Sequence, residues 1–207
     1  MIPLDHLVYG APDLEASIRS LEEALGVRAR PGGRHPQWGT HNALISLSET
    51  TYLEVLAPDP DRPTGVDPDI FGLSVLAQPR LVSWAAKAEN LAAAVQAAAS
   101  SGVQLGAVRS AGRDKPDGSR LSWQLTDPEV VFGDGLVPFL IDWGDSDHPA
   151  AAGLAYCSLV SFRAEHPDPA GIRTMLAAIK AQLPVTAGPV PLLVATLDTP
   201  LGRVEIR

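Results

Sequence analysis

The residues best suited to chemistry are a histidine and a glutamate set in apolar surroundings. His6 lies within Leu4-Asp5-His6-Leu7-Val8-Tyr9, and Glu54 within Thr51-Tyr52-Leu53-Glu54-Val55-Leu56. Burying an unpaired carboxylate is costly, so a glutamate among such neighbours needs a reason. A neutral imidazole and a carboxylate together suit a divalent Zn, Fe, Mn, Ni or Co ion and leave positions open for substrate oxygens. The plainer reading is a hydrogen-bonded core histidine and a glutamate facing water. A second polar set runs through Gly32-Gly33-Arg34-His35-Pro36-Gln37-Trp38-Gly39-Thr40-His41-Asn42. There His35 or His41 would act as general base or bind an anion, with Trp38, Thr40 and Asn42 as substrate contacts. A solvated turn whose Thr40 and Asn42 satisfy local backbone groups would account for the same residues. Arg113 and Arg120 flank Lys115-Pro116-Asp117-Gly118, a tight turn between strands. Pointed inward they would clamp a carboxylate or phosphate; surface charge is the commoner use of such arginines. Trp123 and Trp143 would wall an apolar pocket or pack a core.

These side chains need a scaffold, and the chain supplies a repeated one. Leu4–Tyr9 reads as a strand. Asp13 then caps a helix carrying Leu14, Ile18, Leu21 and Leu25 on one face, and Gly26 stops it. Strands are expected at Val27–Arg30, Asn42–Leu47 and Thr51–Leu56. The order recurs: a strand at Leu81–Trp84, an Ala-rich helix over Glu89–Ser101 with Leu91 and Val95 inward, then strands at Val103–Val108, Leu121–Leu125 and Val137–Trp143. Aligning Leu14 with Leu91 sets His6 over Ser83. A third unit follows, with a strand at Tyr156–Phe162 and a helix carrying Ile172, Leu176, Ile179 and Leu183. Its hairpin joins Leu192–Leu197 to Gly202–Ile206 through Asp198-Thr199-Pro200-Leu201. His166-Pro167-Asp168 stands at the third helix entry, where capping suffices, and His148-Pro149 holds a turn after an acidic loop. Linkers are expected at Pro58–Pro68, with four prolines, and at Gly144–Gly153. The expectation is an α+β chain of tandem βαβββ units, the first two paired over residues 1–145 and the third over 153–207.

Composition removes several function classes. The formal charge is −8 with scattered arginines, which argues against nucleic-acid binding. No apolar run approaches the roughly 18 residues of a membrane span, so no membrane partner is expected. Cys157 is the sole cysteine, leaving no intrachain disulfide or thiolate cluster. The opening Met1-Ile2-Pro3-Leu4 lacks the pattern of a signal peptide, and a cytoplasmic location is expected. No P-loop, Rossmann glycine fingerprint or G-x-S-x-G elbow occurs, so no nucleotide cofactor is expected.

Several stretches resemble the glyoxalase-like branch of the vicinal-oxygen-chelate proteins. They are Leu4-Asp5-His6-Leu7-Val8 with Ala11-Pro12-Asp13-Leu14, Gly39-Thr40-His41-Asn42 followed by Tyr52-Leu53-Glu54, Pro138-Phe139-Leu140-Ile141-Asp142-Trp143, and His148-Pro149-Ala150. The resemblance implies paired units with curved sheets forming a cup around a small-molecule site, and a homodimer. It puts His6 and Glu54 at metal-ligand positions of the first unit. In the second unit Ser83 matches His6, a poor ligand, and the position matching Glu54 falls near Asp142. His6, Glu54 and Asp142 are thus the expected metal set, with a divalent ion (Zn, Mn, Ni, Co or Fe) as cofactor. The expected function is a metal-assisted isomerase or lyase acting on a small oxygenated substrate through a stabilised oxyanion. The alternative is a metal-free protein that sequesters a small, largely apolar compound.

Overall fold

The structure, a computed structural model, describes residues 1–114, 120–151, 153 and 156–207. The expected turn at Lys115-Pro116-Asp117-Gly118 lies outside the described residues. The first unit runs β1 (Leu4–Gly10), α1 (Leu14–Leu25), β2 (Arg30–His35), β3 (Thr40–Ser46) and β4 (Tyr52–Pro58). The expected helix signals are all used. Asp13 Oδ1 accepts from the Ala16 N–H at 2.7 Å, and Gly26 ends the helix at φ +70°. The second unit runs β5 (Arg80–Lys87), α2 (Leu91–Ser100), β6 (Val108–Asp114), β7 (Arg120–Thr126) and β8 (Phe139–Asp142), with Asn90 capping α2.

The two units share one curved sheet of order β2-β3-β4-β1-β5-β8-β7-β6. In each, the opening strand lies parallel to the unit's last strand, and β1 joins β5 antiparallel. That central ladder carries two register slips. From Leu4 to His6, β1 advances two positions while β5 advances one, so Asp5 is the extra residue. Between Ser83 and Leu81 the surplus lies on β5, at Val82. Each bulge sits at the same place in its own unit, which pairs Asp5 with Val82 and His6 with Ser83 as equivalents. The parallel ladders then make Val137 the equivalent of Tyr52, and Phe139 that of Glu54. The alignment of His6 with Ser83 agrees with this register. The expectation that Asp142 matches Glu54 does not.

Two other expected strands moved. Val103 and Leu105 are buried without forming a strand, because Gly106 at φ +73° turns the chain before Val108. The segment read as a polar loop is instead the β2–β3 hairpin, its turn at Pro36–Gly39. Arg30-Pro31-Gly32-Gly33 has little strand propensity, and pairing with β3 imposes the extended form.

The third unit runs β9 (Ser158–His166), α3 (Pro169–Ala178), β10 (Val185–Ala187), β11 (Leu192–Thr199) and β12 (Gly202–Ile206). Asp168 caps α3 through the Gly171 N–H at 3.0 Å, and β11–β12 is the expected hairpin. Its sheet order, β10-β9-β11-β12, differs from the other units: the strand after the helix lies directly beside the opening strand. It therefore shares element order with them but not topology.

Alternation along the strands divides two environments. Leu7, Ile45, Leu53, Trp84 and Leu140 point to the convex side, where they pack in one core with Leu14, Ile18 and Leu21 of α1 and with Ala164, Ile172 and Leu193 of the third unit. The concave side holds Leu44, Tyr52, Trp123, Ile141 and Trp143. Trp84 fastens the convex core, its ring edge-on to Phe162 at 5.5 Å and its Nε1 donating to the Leu136 carbonyl at 2.9 Å. Trp84→Phe keeps most of the apolar contact but strands that buried carbonyl. Urea denaturation should show a loss of about 1–3 kcal/mol; no measurable loss would mean the bond is dispensable.

Candidate active site

The concave face of the large sheet closes around a cavity with about 540 Å³ of empty space, mouth included. Its polar wall comes from the first unit and begins with a buried carboxylate. The bulge in β1 turns Asp5 to the same side as His6, which a regular strand would forbid for consecutive residues. Asp5 Oδ1 lies 2.6 Å from His6 Nδ1, and Oδ2 accepts from Trp143 Nε1 at 3.0 Å. His148 Nε2 is 3.2 Å from the same Oδ2. The Ala150 N–H donates to His148 Nδ1, which leaves Nε2 as the protonated nitrogen facing Asp5. Burial alone would raise the Asp5 pKa, but the hydrogen bonds from His148 and His6, with their charges, outweigh it and hold the carboxyl well below the usual range.

With Asp5 ionised, His6 directs its Nδ1–H at the carboxylate and its Nε2 into the cavity. There Nε2 stands 3.7 Å from Glu54 Oε2. Tyr52 stacks on the His6 ring at a centroid distance of 4.5 Å. Asn42 Nδ2 donates to Glu54 Oε1 at 2.6 Å, fixing the carboxylate from β3. The amide oxygen of Asn42, Oδ1, is buried without a partner among the described residues and lies against Gly32, where a Cβ would collide with it. Asn42 is thus positioned toward Glu54 at some cost.

His35 enters the cavity from β2, with Nδ1 3.2 Å from Thr40 Oγ1 and its ring edge-on to Trp38 and Trp123. Burial lowers its pKa; Glu54 opposes this and Arg113 reinforces it. The ring is neutral at pH 7. Arg113 reaches in from β6, half-buried, close enough to Tyr52 and Glu54 to feel both. Its stem passes over Gly33, where an added Cβ would sit 2.8 Å from Arg113 Cδ. Burial of Tyr52, with Asp5 and Glu54 nearby, raises its pKa well above 10 and keeps the phenol protonated.

The structure therefore brings together His6, Glu54, Asn42, Thr40, His35, Trp38, Trp123 and Arg113 of the expected residues. Three are elsewhere. Asp142 follows Ile141 on β8 and so faces the convex side, where its Oδ1 accepts from the Gly144 N–H. His41 lies between inward Thr40 and Asn42 and points outward, near Asp59 and Arg34. Arg120 lines a surface hollow with Ser122 and Asp142. Sequence reading missed Asp5 as a site residue and took His148 for a turn residue only. No local signal marks Asp5, since only the bulge turns it inward.

A metal centre does not fit these donors. His6 and Glu54 converge, but their second-unit equivalents are Ser83 and Phe139, and Asp142 faces away. Among the described residues no group of three or more His, Cys, Asp or Glu side chains is arranged to hold a metal ion. Two protein donors fall short of the three or four expected of such a site.

Comparison with known proteins fits the fold. The glyoxalase-like domain model matches residues 4–180. The chain belongs to the glyoxalase-like domain family. The structure shows the paired βαβββ units and the cup that the sequence resemblance implied. No curated protein matches the sequence. Among solved structures, a hypothetical protein from Staphylococcus aureus aligns over 99% of this chain and 84% of its own, at 15% identity and TM-score 0.67. A methylmalonyl-CoA epimerase in complex with methylmalonyl-CoA and NH4+ aligns over 72% of this chain and 99% of its own, at 19% identity and TM-score 0.43. The epimerase from Mycobacterium tuberculosis aligns over 67% and 85%, at 19% and 0.41. At such identities the likeness concerns fold alone.

Folding lowers the Asp5 pKa, so the stability it contributes is complete above the ordinary aspartate value of about 3.9 and is lost as the pH falls below it. Asp5→Ala should cost on the order of 3 kcal/mol near neutrality. Chemical denaturation at several pH values should show the gap to wild type narrowing below about pH 4; a gap independent of pH would contradict an ionised Asp5.

Proposed function

We propose that this protein is an isomerase-type enzyme that moves a proton from the carbon beside a carbonyl to the carbonyl oxygen of a small compound bearing a carboxylate. One observation carries the reading: His6 Nε2 and Glu54 Oε2 stand 3.7 Å apart inside the closed cup, with Asp5 behind the imidazole. Asp5 orients the ring and stabilises its charged form, as the acid does in hydrolase triads. Arg113, beside Tyr52, offers the charge that a substrate carboxylate or an enolate oxygen needs.

The spacing supports a reaction on one face of the substrate. Two groups 3.7 Å apart cannot flank one carbon from opposite faces, as inversion by two bases requires. They serve one face of a substrate. Glu54 takes a proton from the carbon next to the carbonyl, and the electron pair moves to the carbonyl oxygen. Protonated His6 gives its Nε2 proton to that neighbouring oxygen. Glu54 then returns its proton to His6, and both groups regain their starting state. The apolar walls exclude water from the enolate. No step is routed through a metal, because the donor set does not build a site for one.

A binding role is the second reading, favoured by the aromatic share of the wall: Trp38, Tyr52, Phe71, Trp123, Phe139 and Trp143. Solvent-deuterium exchange followed by NMR separates the two, using small 2-oxo acids and α-hydroxy ketones. Exchange at the carbon beside the carbonyl is expected, falling by about 10²–10⁴ in Glu54→Gln and in His6→Gln, with EDTA without effect. Exchange that persists in both variants would overturn the assignment. Exchange lost to EDTA and restored by a divalent ion would return the metal-assisted mechanism. Tight binding with no exchange would support sequestration.

A further inference from the structure

The pseudo-twofold relation between the units gives the cup a second half of which the proposed chemistry uses only Arg113. Where the first unit has Asp5, His6, Tyr52 and Glu54, the second has Val82, Ser83, Val137 and Phe139. The equivalent of every titratable side chain at the site is apolar or a hydroxyl. Those four second-unit residues line a separate chamber with about 700 Å³ of empty space. It is closed on its other sides by Phe71, Phe132 and the Pro128–Val131 segment. The Ser83 hydroxyl makes no hydrogen bond among the described residues, and the residue is 4% exposed.

This chamber adjoins the first one. Phe71, Pro128 and Phe139 line both, and Phe71 lies against Phe139 at a centroid distance of 5.6 Å, forming the partition. Phe71 holds a left-handed backbone, φ +57°, which costs a non-glycine residue energy that its placement between the chambers must offset. At the far mouth Val130 and Val131 are 41% and 59% exposed, an apolar rim where water would ordinarily select polar residues. Arg80 and Asp134, the latter paired with His166, also line this chamber and give it a polar edge.

We infer that the second half of the cup is a tail subsite: the ligand is a carboxylate with an unbranched apolar chain, its oxygenated head at Glu54 and Arg113 and its chain running past Phe71 and Phe139 into the chamber walled by Val82, Ser83 and Val137. The position of the head rests on the proposed function; the chamber stands on its own walls. A half-site that has exchanged its titratable groups for valine, serine and phenylalanine has given up chemistry and gained apolar surface. Because Phe71, Pro128 and Phe139 wall both chambers, the occupant is the far end of the same molecule, admitted when the Phe71–Phe139 partition gives way.

The test is binding of straight-chain 2-oxo acids from four to ten carbons, read by quenching of the tryptophan fluorescence from Trp38, Trp123 and Trp143. Affinity should rise about threefold to fourfold per added methylene once the chain passes the partition. Ser83→Phe, which fills the chamber, should abolish that gain and leave the four-carbon acid unchanged. Val131→Asp, at an exposed position that folding tolerates, should reduce the gain for the longest chains only. A flat profile in the wild type, a gain surviving in Ser83→Phe, or binding of no member would each overturn the subsite. Because binding needs no turnover, Glu54→Gln should retain the chain-length profile while losing exchange. A flat profile with exchange intact sinks the subsite alone, and a rising profile with no exchange sinks the isomerase reading alone.

Discussion

A charge taken out of water has to be met by donors, and Asp5 is fully buried. Three side chains meet it: His6 from its own strand, Trp143 from just beyond β8 and His148 from the loop that follows. These contacts pin the end of the second unit to the opening strand of the first. They also fix which nitrogen of His6 faces the cavity. The geometry of the site and the closure of the cup therefore share one carboxylate. Its place depends in turn on a single extra residue in β1, without which Asp5 and His6 would point to opposite faces.

The same bulge recurs in β5 at Val82, where it carries no charge. The two units thus kept a common backbone while their concave faces diverged. One face carries an imidazole, two carboxylates and an amide in contact; the other is apolar but for the Ser83 hydroxyl and the Arg113 guanidinium. A symmetric scaffold tolerates this because the convex core, built from Leu7, Ile45, Leu53, Trp84 and Leu140 against the helices, holds the sheet independently of the cup. The concave face is left free to specialise: one half gathers polar groups, and the other walls a second chamber.

The third unit contributes to the scaffold rather than to the cavity. Ala164, Leu193, Ala195 and Leu197 join the convex core, and the Leu81 N–H reaches the Arg207 carbonyl at 2.8 Å. Its different strand order shows that element sequence and topology are separate properties. A strand, a helix and three strands can be assembled with the helix returning the chain beside its first strand or away from it. No helix among the described residues is long and apolar enough to cross a membrane.

The sequence alone determined what depends on near neighbours. Asp13 and Gly26 bound the first helix, the spacing of Leu14, Ile18, Leu21 and Leu25 sets its buried face, and alternation in Leu4–Tyr9 and Tyr52–Leu56 puts His6 and Glu54 on concave faces. Repetition of that pattern made the paired units legible. What it could not determine depends on register. Asp142 and His41 were expected at the site and face away because a one-residue step reverses a side chain in a strand. Arg30–His35 reads as a loop until β3 supplies its hydrogen bonds. Asp5 reads as the outward neighbour of His6 until the β1–β5 pairing forces a bulge, and no property of residues 4–8 announces that partner. Tertiary structure alone decided which polar groups share a cavity, because strand pairing between segments some 80 positions apart sets the faces, and short-range pattern carries no information about it.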